Sequence, residues 1–241
     1  MFNRVDGRAL DEIMQIDISI GFQDYSIGSA LITMGHTKVL CSVTFEENVP
    51  HFLRGSGQSW LTAEYSMLPG STHTRTSRER GTKSVRGRTH EIQRLIGRSL
   101  RSVLDLTLIG EVSFTIDCDV LQADGGTRTA AITCAYVALY QAIKNLIKEG
   151  KLTKNPIKSA LAGISIGVLD GYVLTDLCYE EDSQADVDFN IIMTDRMEFV
   201  EIQGTAEKKS FNDNDLESIL SNGKKSLKQI FDIQKNVLHN L

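Results

Sequence analysis

Residues 111–131, EVSFTIDCDVLQADGGTRTAA, place two glycines, a threonine and an arginine where a strand gives way to a helix. Val112, Phe114, Ile116, Cys118 and Val120 alternate with Ser113, Thr115, Asp117 and Asp119, the period-two pattern of a strand with one buried face. Gly125 and Gly126 break that strand, and the apolar run that follows is helical in composition, so a helix begins at Thr127-Arg128-Thr129. Its first N–H groups have no intrahelical partner and its dipole is positive there. Glycines let an anion approach the backbone closely, and Arg128 adds a forked donor matched to phosphate oxygens. The segment reads as a phosphate cradle. The sequence GGTRT lacks the lysine of a G-x-x-x-x-G-K-[ST] loop, which argues against a nucleoside triphosphate P-loop.

A second chemical signal is YEEDSQADVDFN, residues 179–190, where Asp182, Asp186 and Asp188 fall at a strand entrance just after a hairpin. Acids so placed suit a hard cation such as Mg²⁺, which takes one or two carboxylates together with phosphate oxygens and waters. A solvated acidic loop accounts for the same run. A phosphate cradle and a metal-competent carboxylate cluster in one chain point jointly to phosphoryl or nucleotidyl transfer.

The third signal is charge. The chain of 241 residues carries a net charge of −5, yet residues 73–101 hold nine Arg/Lys against Glu79 and Glu91. That segment therefore carries +7 and the remainder −12. A local basic field on an acidic body suggests a specific polyanion site rather than a general nucleic-acid coat. Eight of the nine basic residues are arginines, the better phosphate binders. Cys41, Cys118, Cys134 and Cys178 are far apart with no C-x-x-C pair, as expected of reduced core thiols. No run approaches the ~20 apolar residues of a membrane span, and the N-terminus lacks the apolar stretch of a signal peptide. A soluble, cytoplasmic protein with no membrane partner is the expectation.

The elements that must position these residues follow from periodicity and turn chemistry. Gly28–Met34 and Thr37–Phe45 flank a Gly35-His36 hairpin turn, and Trp60–Met67 reads as a further strand. Residues 70–87 are rich in Ser, Thr, Arg and Gly and read as an exposed loop. A helix from about Thr89 to Asp105 carries Ile92, Leu95, Ile96, Ser99, Leu100, Val103 and Leu104 on one stripe, and Arg94, Arg98 and Arg101 on the other face. After Asn155-Pro156 come a hairpin of Leu161–Leu169 and Tyr172–Cys178 around Asp170-Gly171, and another of Asp188–Thr194 and Met197–Gln203 around Asp195-Arg196. A C-terminal helix spans about Asp213 to Val237. Two strand-strand-helix halves in succession predict one α+β domain over residues 1–241, with helices packed on a mainly antiparallel sheet.

GHTKVLCSV (35–43), WLTAEYSMLP (60–69), STHTR (71–75), RTHEIQRLIGRSLR (88–101), IDCDVLQADGGTRTA (116–130), EEDSQADVDFNIIMT (180–194) and EIQGTAE (201–207) together closely resemble the ribonuclease PH family, over nearly the whole chain and in order. That family is made of phosphorolytic 3′→5′ exoribonucleases, also called tRNA nucleotidyltransferases, which trim tRNA precursors. The resemblance implies the ribosomal protein S5 domain 2-like α+β fold and a homo-hexamer built as a trimer of dimers. It implies that inorganic phosphate attacks the last phosphodiester of a tRNA precursor or another structured RNA 3′ end, rRNA included, releasing a nucleoside 5′-diphosphate with Mg²⁺ as cofactor. The family's phosphate site falls on Arg88, Gly126, Thr127 and Arg128, and its catalytic, metal-linked aspartates on Asp182 and Asp188, with Asp186 outside the core site. One of these aspartates, if protonated, would instead serve as general acid; the metal role is preferred for both.

In the resemblance, Arg75 and Arg78 fall at positions linked to tRNA binding and ring assembly, and Arg94, Arg98 and Arg101 are expected either to line the RNA path or to pack between subunits. The chain departs from the family at Gly70, where MLPGST replaces MLPRST, and at His90, where RTHEIQR replaces RTMEIQR and puts a histidine near the phosphate site. Two other readings compete: an RNA-binding ring subunit without catalysis, which typically loses the paired aspartates or the phosphate arginines, and a metal-dependent hydrolytic nuclease, for which a phosphate cradle would have no purpose.

Overall fold

The computed structural model describes residues 2–79, 85–239 and 241. Nine strands form two sheets. The first takes β1 (Ile16–Ile20), β2 (Gly28–Met34), β3 (Thr37–Glu46), β4 (Trp60–Met67) and β5 (Ser113–Gln122) in the order β1-β2-β3-β5-β4. The second takes β6 (Leu161–Leu169), β7 (Tyr172–Thr175), β8 (Val187–Thr194) and β9 (Phe199–Ala206) in the order β7-β6-β8-β9. Among the described residues there are four α-helices, α1 (Gly87–Ser102), α2 (Thr127–Lys148), α3 (Tyr179–Gln184) and α4 (Asp213–Leu238), and a short 3-10 turn at His51–Leu53.

The α+β class and the largely antiparallel pairing agree with the pattern in the sequence, with two refinements. The strands divide into two sheets rather than one, and β4 pairs with β5 in parallel, Tyr65 opposite Cys118. Parallel neighbours need a crossover, and α1 supplies it by packing back on β4. Between the sheets lies α2, against β2 and β3 on one side and β6 on the other. This explains its composition. A helix walled in by two sheets loses its polar face where they enclose it: Thr129 through Leu139 are all buried, and exposed polar residues return only with Lys144 and Lys148 near its C-terminus. By length and composition α2 could cross a membrane, contrary to the expectation that no such run exists; here it is the central helix of the core. One apolar cluster runs through both sheets and the three longer helices, from Ile18 to Leu238. All four cysteines are buried and free, with Cys41 and Cys118 sulfurs 3.4 Å apart across the β3–β5 ladder.

Several boundaries shift for identifiable reasons. The first long helix ends at Ser102 because Leu104 leaves it to bridge Ile157, while Asp105 N donates to Pro156 O and Lys158 N to Val103 O. Val103 and Leu104 stay buried, Val103 as the C-cap turn of the helix and Leu104 in the isolated bridge. Strand β7 stops at Thr175 because Asp176 takes a left-handed φ of 56° and turns the chain toward α3. The turn between β8 and β9 is longer than two residues: Met197 adopts φ 61° and β9 begins at Phe199. Strand β1 and helix α3 were not anticipated. The basic residues Arg80 and Lys83 of the arginine-rich loop lie outside the described residues.

Candidate active site

The cleft in question, about 630 Å³, opens where the N-termini of α1 and α2 meet α3 and the start of β8. Arg88, Gly126, Thr127, Arg128, Asp182 and Asp188 all line it, so the phosphate and acidic signals converge on one cavity.

The cradle is built by the turn before α2. Gly125 and Gly126 have φ of 78° and 56°, a region that costs a side-chain-bearing residue free energy. A Cβ on Gly125 would also collide with the carbonyl oxygen of Leu177. Gly126 is the N-cap of α2 but offers no side-chain acceptor, and the first turn contains no acid. The N–H groups and positive dipole end of a 22-residue helix are thus left to an anion. Thr129 Oγ1 donates to Gly126 O at 2.8 Å and pins the turn. Arg128 is mostly buried, its Nη1 3.2 Å from Gln203 Oε1 and 3.4 Å from Glu91 Oε1. Arg88 stands in the first turn of α1, exposed, on the opposite wall. Tyr65 reaches the cradle from β4: its hydroxyl donates to Thr127 Oγ1 at 2.9 Å.

The two aspartates come from different elements. Asp182 lies on α3 and keeps a solvent-facing edge at the cleft mouth; Asp188, half-buried, lies on β8. Removal from water pushes the Asp188 carboxyl above its ordinary range, with the charge of Asp182 adding to the effect. Arg128 and a 3.4 Å hydrogen bond from Asn190 Nδ2 oppose it. Enough protein surrounds Asp182 that desolvation raises it too, against the pull of Arg88 and Arg128. Desolvation leads both shifts, and the two carboxyls share one cleft with two arginines. A cation is the complement, and a two-carboxylate set with room for substrate oxygens and waters fits Mg²⁺ better than metals that want three or four protein ligands. Among the described residues no group of three or more His, Cys, Asp or Glu converges as a closed metal cage.

Helix α3 has six residues and would be marginal alone. Arg4 holds it: Nη2 and Nε meet the two Glu181 oxygens at 2.7 and 2.9 Å, and the remaining donors reach the carbonyls of Thr175, Asp176, Ala9 and Glu12. Although burial favours its neutral form, Arg4 holds the Glu181 carboxyl below the usual range. The acid next to Asp182 is therefore an anchor inside the protein and not part of a solvated loop. Asp186 is buried and paired with Lys209 Nζ at 3.0 Å, outside the cleft lining.

The remaining arginines separate. Arg75, Arg78 and Arg94 are exposed and lie outside the cleft lining. Arg98 forms a two-pronged ion pair with Glu201 of β9, at 2.6 Å, so in this chain it fastens α1 to the second sheet. Arg101 donates to Leu61 O and stacks 5.3 Å from the Trp60 ring. His90 is exposed and does not line the cleft. Tyr65, Ser165 and Asn190 were not singled out by sequence; only the placement of Tyr65 on the buried alternation of WLTAEYSM hinted that it packs inward.

Models of a 3′ exoribonuclease family match the chain twice, domain 1 over residues 12–144 and domain 2 over residues 159–226. The chain is 53% identical over 234 residues to a ribonuclease PH of Dehalococcoides mccartyi, covering 97% of each sequence. It is 53% identical over 238 residues to a ribonuclease PH of Corynebacterium diphtheriae, covering 98% of each. In three dimensions it matches a chain of the Archaeoglobus fulgidus exosome solved with RNA bound to the active site, with a TM-score of 0.80, 18% identity and coverage of 95% and 92%.

Proposed function

The chain belongs to the 3′ exoribonuclease family of ribonuclease PH, and from that premise we propose that it shortens tRNA precursors from the 3′ end by phosphorolysis. The observation that carries this reading is the convergence of an uncapped helix N-terminus, Arg88 and Arg128 with Asp182 and Asp188 around one cleft.

Inorganic phosphate is a doubly charged nucleophile that must be held, partly neutralised and aimed. The N–H groups at the start of α2, the Thr127 hydroxyl and the two arginines supply donors for its oxygens. One phosphate oxygen then attacks the terminal phosphodiester phosphorus. The bond to the 3′-oxygen of the preceding nucleotide breaks, that oxygen takes up a proton, and the last residue departs as a nucleoside 5′-diphosphate. Asp182 and Asp188 would hold Mg²⁺, which supplies charge neutralisation at the scissile phosphate and leaving oxygen. Because phosphate is present in the ground state and the new charge develops at the leaving oxygen, the arginines chiefly set phosphate affinity while the aspartates chiefly set turnover. The same reading extends to other structured RNA 3′ ends, rRNA included. Assembly into a hexameric ring is supported by the family and by a fold shared with exosome chains. Four buried free thiols suit a cytoplasmic setting.

A phosphate titration at saturating RNA tests the division of labour. Arg128→Ala is expected to raise the phosphate KM by roughly 10- to 100-fold, the worth of one or two charge-assisted hydrogen bonds, with RNA binding retained. An Arg128→Ala enzyme with wild-type phosphate dependence would contradict the cradle.

A further inference from the structure

Tyr65 has no place in the sequence signals or in the cradle as so far described, yet it touches the cradle directly. It stands on β4, paired in parallel with β5, and its ring is buried under the start of α2 with 5% exposure. A buried phenol needs a partner for its proton. Tyr65 finds it in the side chain of Thr127, the first residue of α2, at 2.9 Å. The fields of both Arg88 and Arg128 reach the phenol, which places it beside the cradle rather than merely in the core.

The chemistry of the pair is specific. A threonine hydroxyl has one proton and two lone pairs, and an anion can use only the proton. Free to rotate, it would spend part of its time aimed at protein acceptors. The phenol is the more acidic of the two hydroxyls and is the natural donor. With one Thr127 lone pair held by Tyr65, the Thr127 proton is turned away from β4 and into the cleft. We propose that Tyr65 is a positioning residue for phosphate: it fixes the Thr127 hydroxyl as a donor and thereby sets part of the phosphate affinity from the first sheet. The inference rests on the phosphorolytic reading and deepens it. It also gives β4 a role beyond packing, because the same strand that carries Trp60 under Arg101 ends beneath the anion site.

The test is a double-mutant cycle on the Mg²⁺-loaded enzyme with tRNA carrying extra 3′ nucleotides. Tyr65→Phe deletes one oxygen and keeps the ring that packs. Its phosphate KM should rise roughly five- to tenfold, the worth of one oriented hydrogen bond, while kcat stays within about twofold and the RNA KM is unchanged. Thr127→Val, close in shape but without the hydroxyl, should raise the phosphate KM at least as much. The double variant should be no worse than Thr127→Val alone, because the phenol acts only through that hydroxyl. An unchanged phosphate KM in Tyr65→Phe, or additive effects in the double variant, overturns the inference while leaving the cradle intact. An unchanged phosphate KM in Thr127→Val would take that hydroxyl out of the phosphate donors and overturn the inference as well, while the Arg128→Ala titration decides the cradle separately. A parallel loss of kcat, phosphate affinity and thermal stability in Tyr65→Phe would mark a packing role only and also overturn it.

Discussion

Asp188 shows most directly how the site is held in tension. Its carboxyl is raised by removal from water and by the charge of Asp182, with Arg128 and Asn190 only partly compensating. A carboxylate whose folded pKa lies above its unfolded value makes its stability contribution fully below the unfolded value and loses it as pH rises through the folded one. At neutral pH the ionised group therefore strains the metal-free protein. Asp188→Asn is expected to raise the melting temperature at pH 7 in EDTA while abolishing turnover. The gap between the two proteins should narrow as pH falls and close below the ordinary aspartate range, where the carboxyl is protonated in both folded and unfolded states. A variant less stable than wild type at pH 7 and equally so at pH 4 would show that burial is not what governs this carboxyl. At the same scale, three arginines of the basic run take different tasks: Arg88 lines the cleft, Arg98 pairs with Glu201 and Arg101 packs on Trp60 and Leu61, a division invisible in the run itself.

At the scale of elements, α3 is the weak member on which the chemistry depends. It is six residues long, and the buried Arg4–Glu181 pair is what docks it. Glu181→Ala should cost about 3–5 kcal/mol at pH 7, because it leaves a guanidinium buried without its counter-ion. Since Arg4 depresses the Glu181 carboxyl, that contribution is present above the unfolded pKa and is lost as pH falls through the folded one. Chemical denaturation at pH 7 and again near pH 3 should show the penalty shrinking; an equal penalty at both would contradict the ion-pair account. The legibility of the elements follows the same logic. Strands β2 to β9 and helices α1, α2 and α4 were readable because their signals are local: period-two alternation, glycine and aspartate turns, an apolar stripe. Helix α3 was not, since its anchor lies 177 residues away in the chain, and the acid run around it reads equally well as solvent-facing loop. The parallel pairing of β4 with β5 and the Tyr65–Thr127 contact across 62 residues were hidden for the same reason. The cradle and both aspartates could be named from spacing and resemblance; the shell that aims them could not.

Over the whole molecule, the fold works by bringing both halves of the chain to one cleft. The first half supplies the arginines and the helix N-terminus, the second the aspartates, and α2 lies between the two sheets with its positive end at the junction. A helix apolar enough to pass for a membrane span is what this arrangement demands, since α2 is buried throughout Thr129 to Leu139. Residues 73–101 carry +7 on a chain whose remainder carries −12, the kind of local field that draws a polyanion to one region of an acidic body. The most direct test of that account is the identity of the product. A tRNA with a few extra 3′ nucleotides would be incubated with the full-length protein and Mg²⁺, with and without ³²P-labelled inorganic phosphate. The account predicts nucleoside 5′-diphosphates that appear only with phosphate and carry the label. Unlabelled monophosphates released without phosphate would mean hydrolysis, and would contradict it.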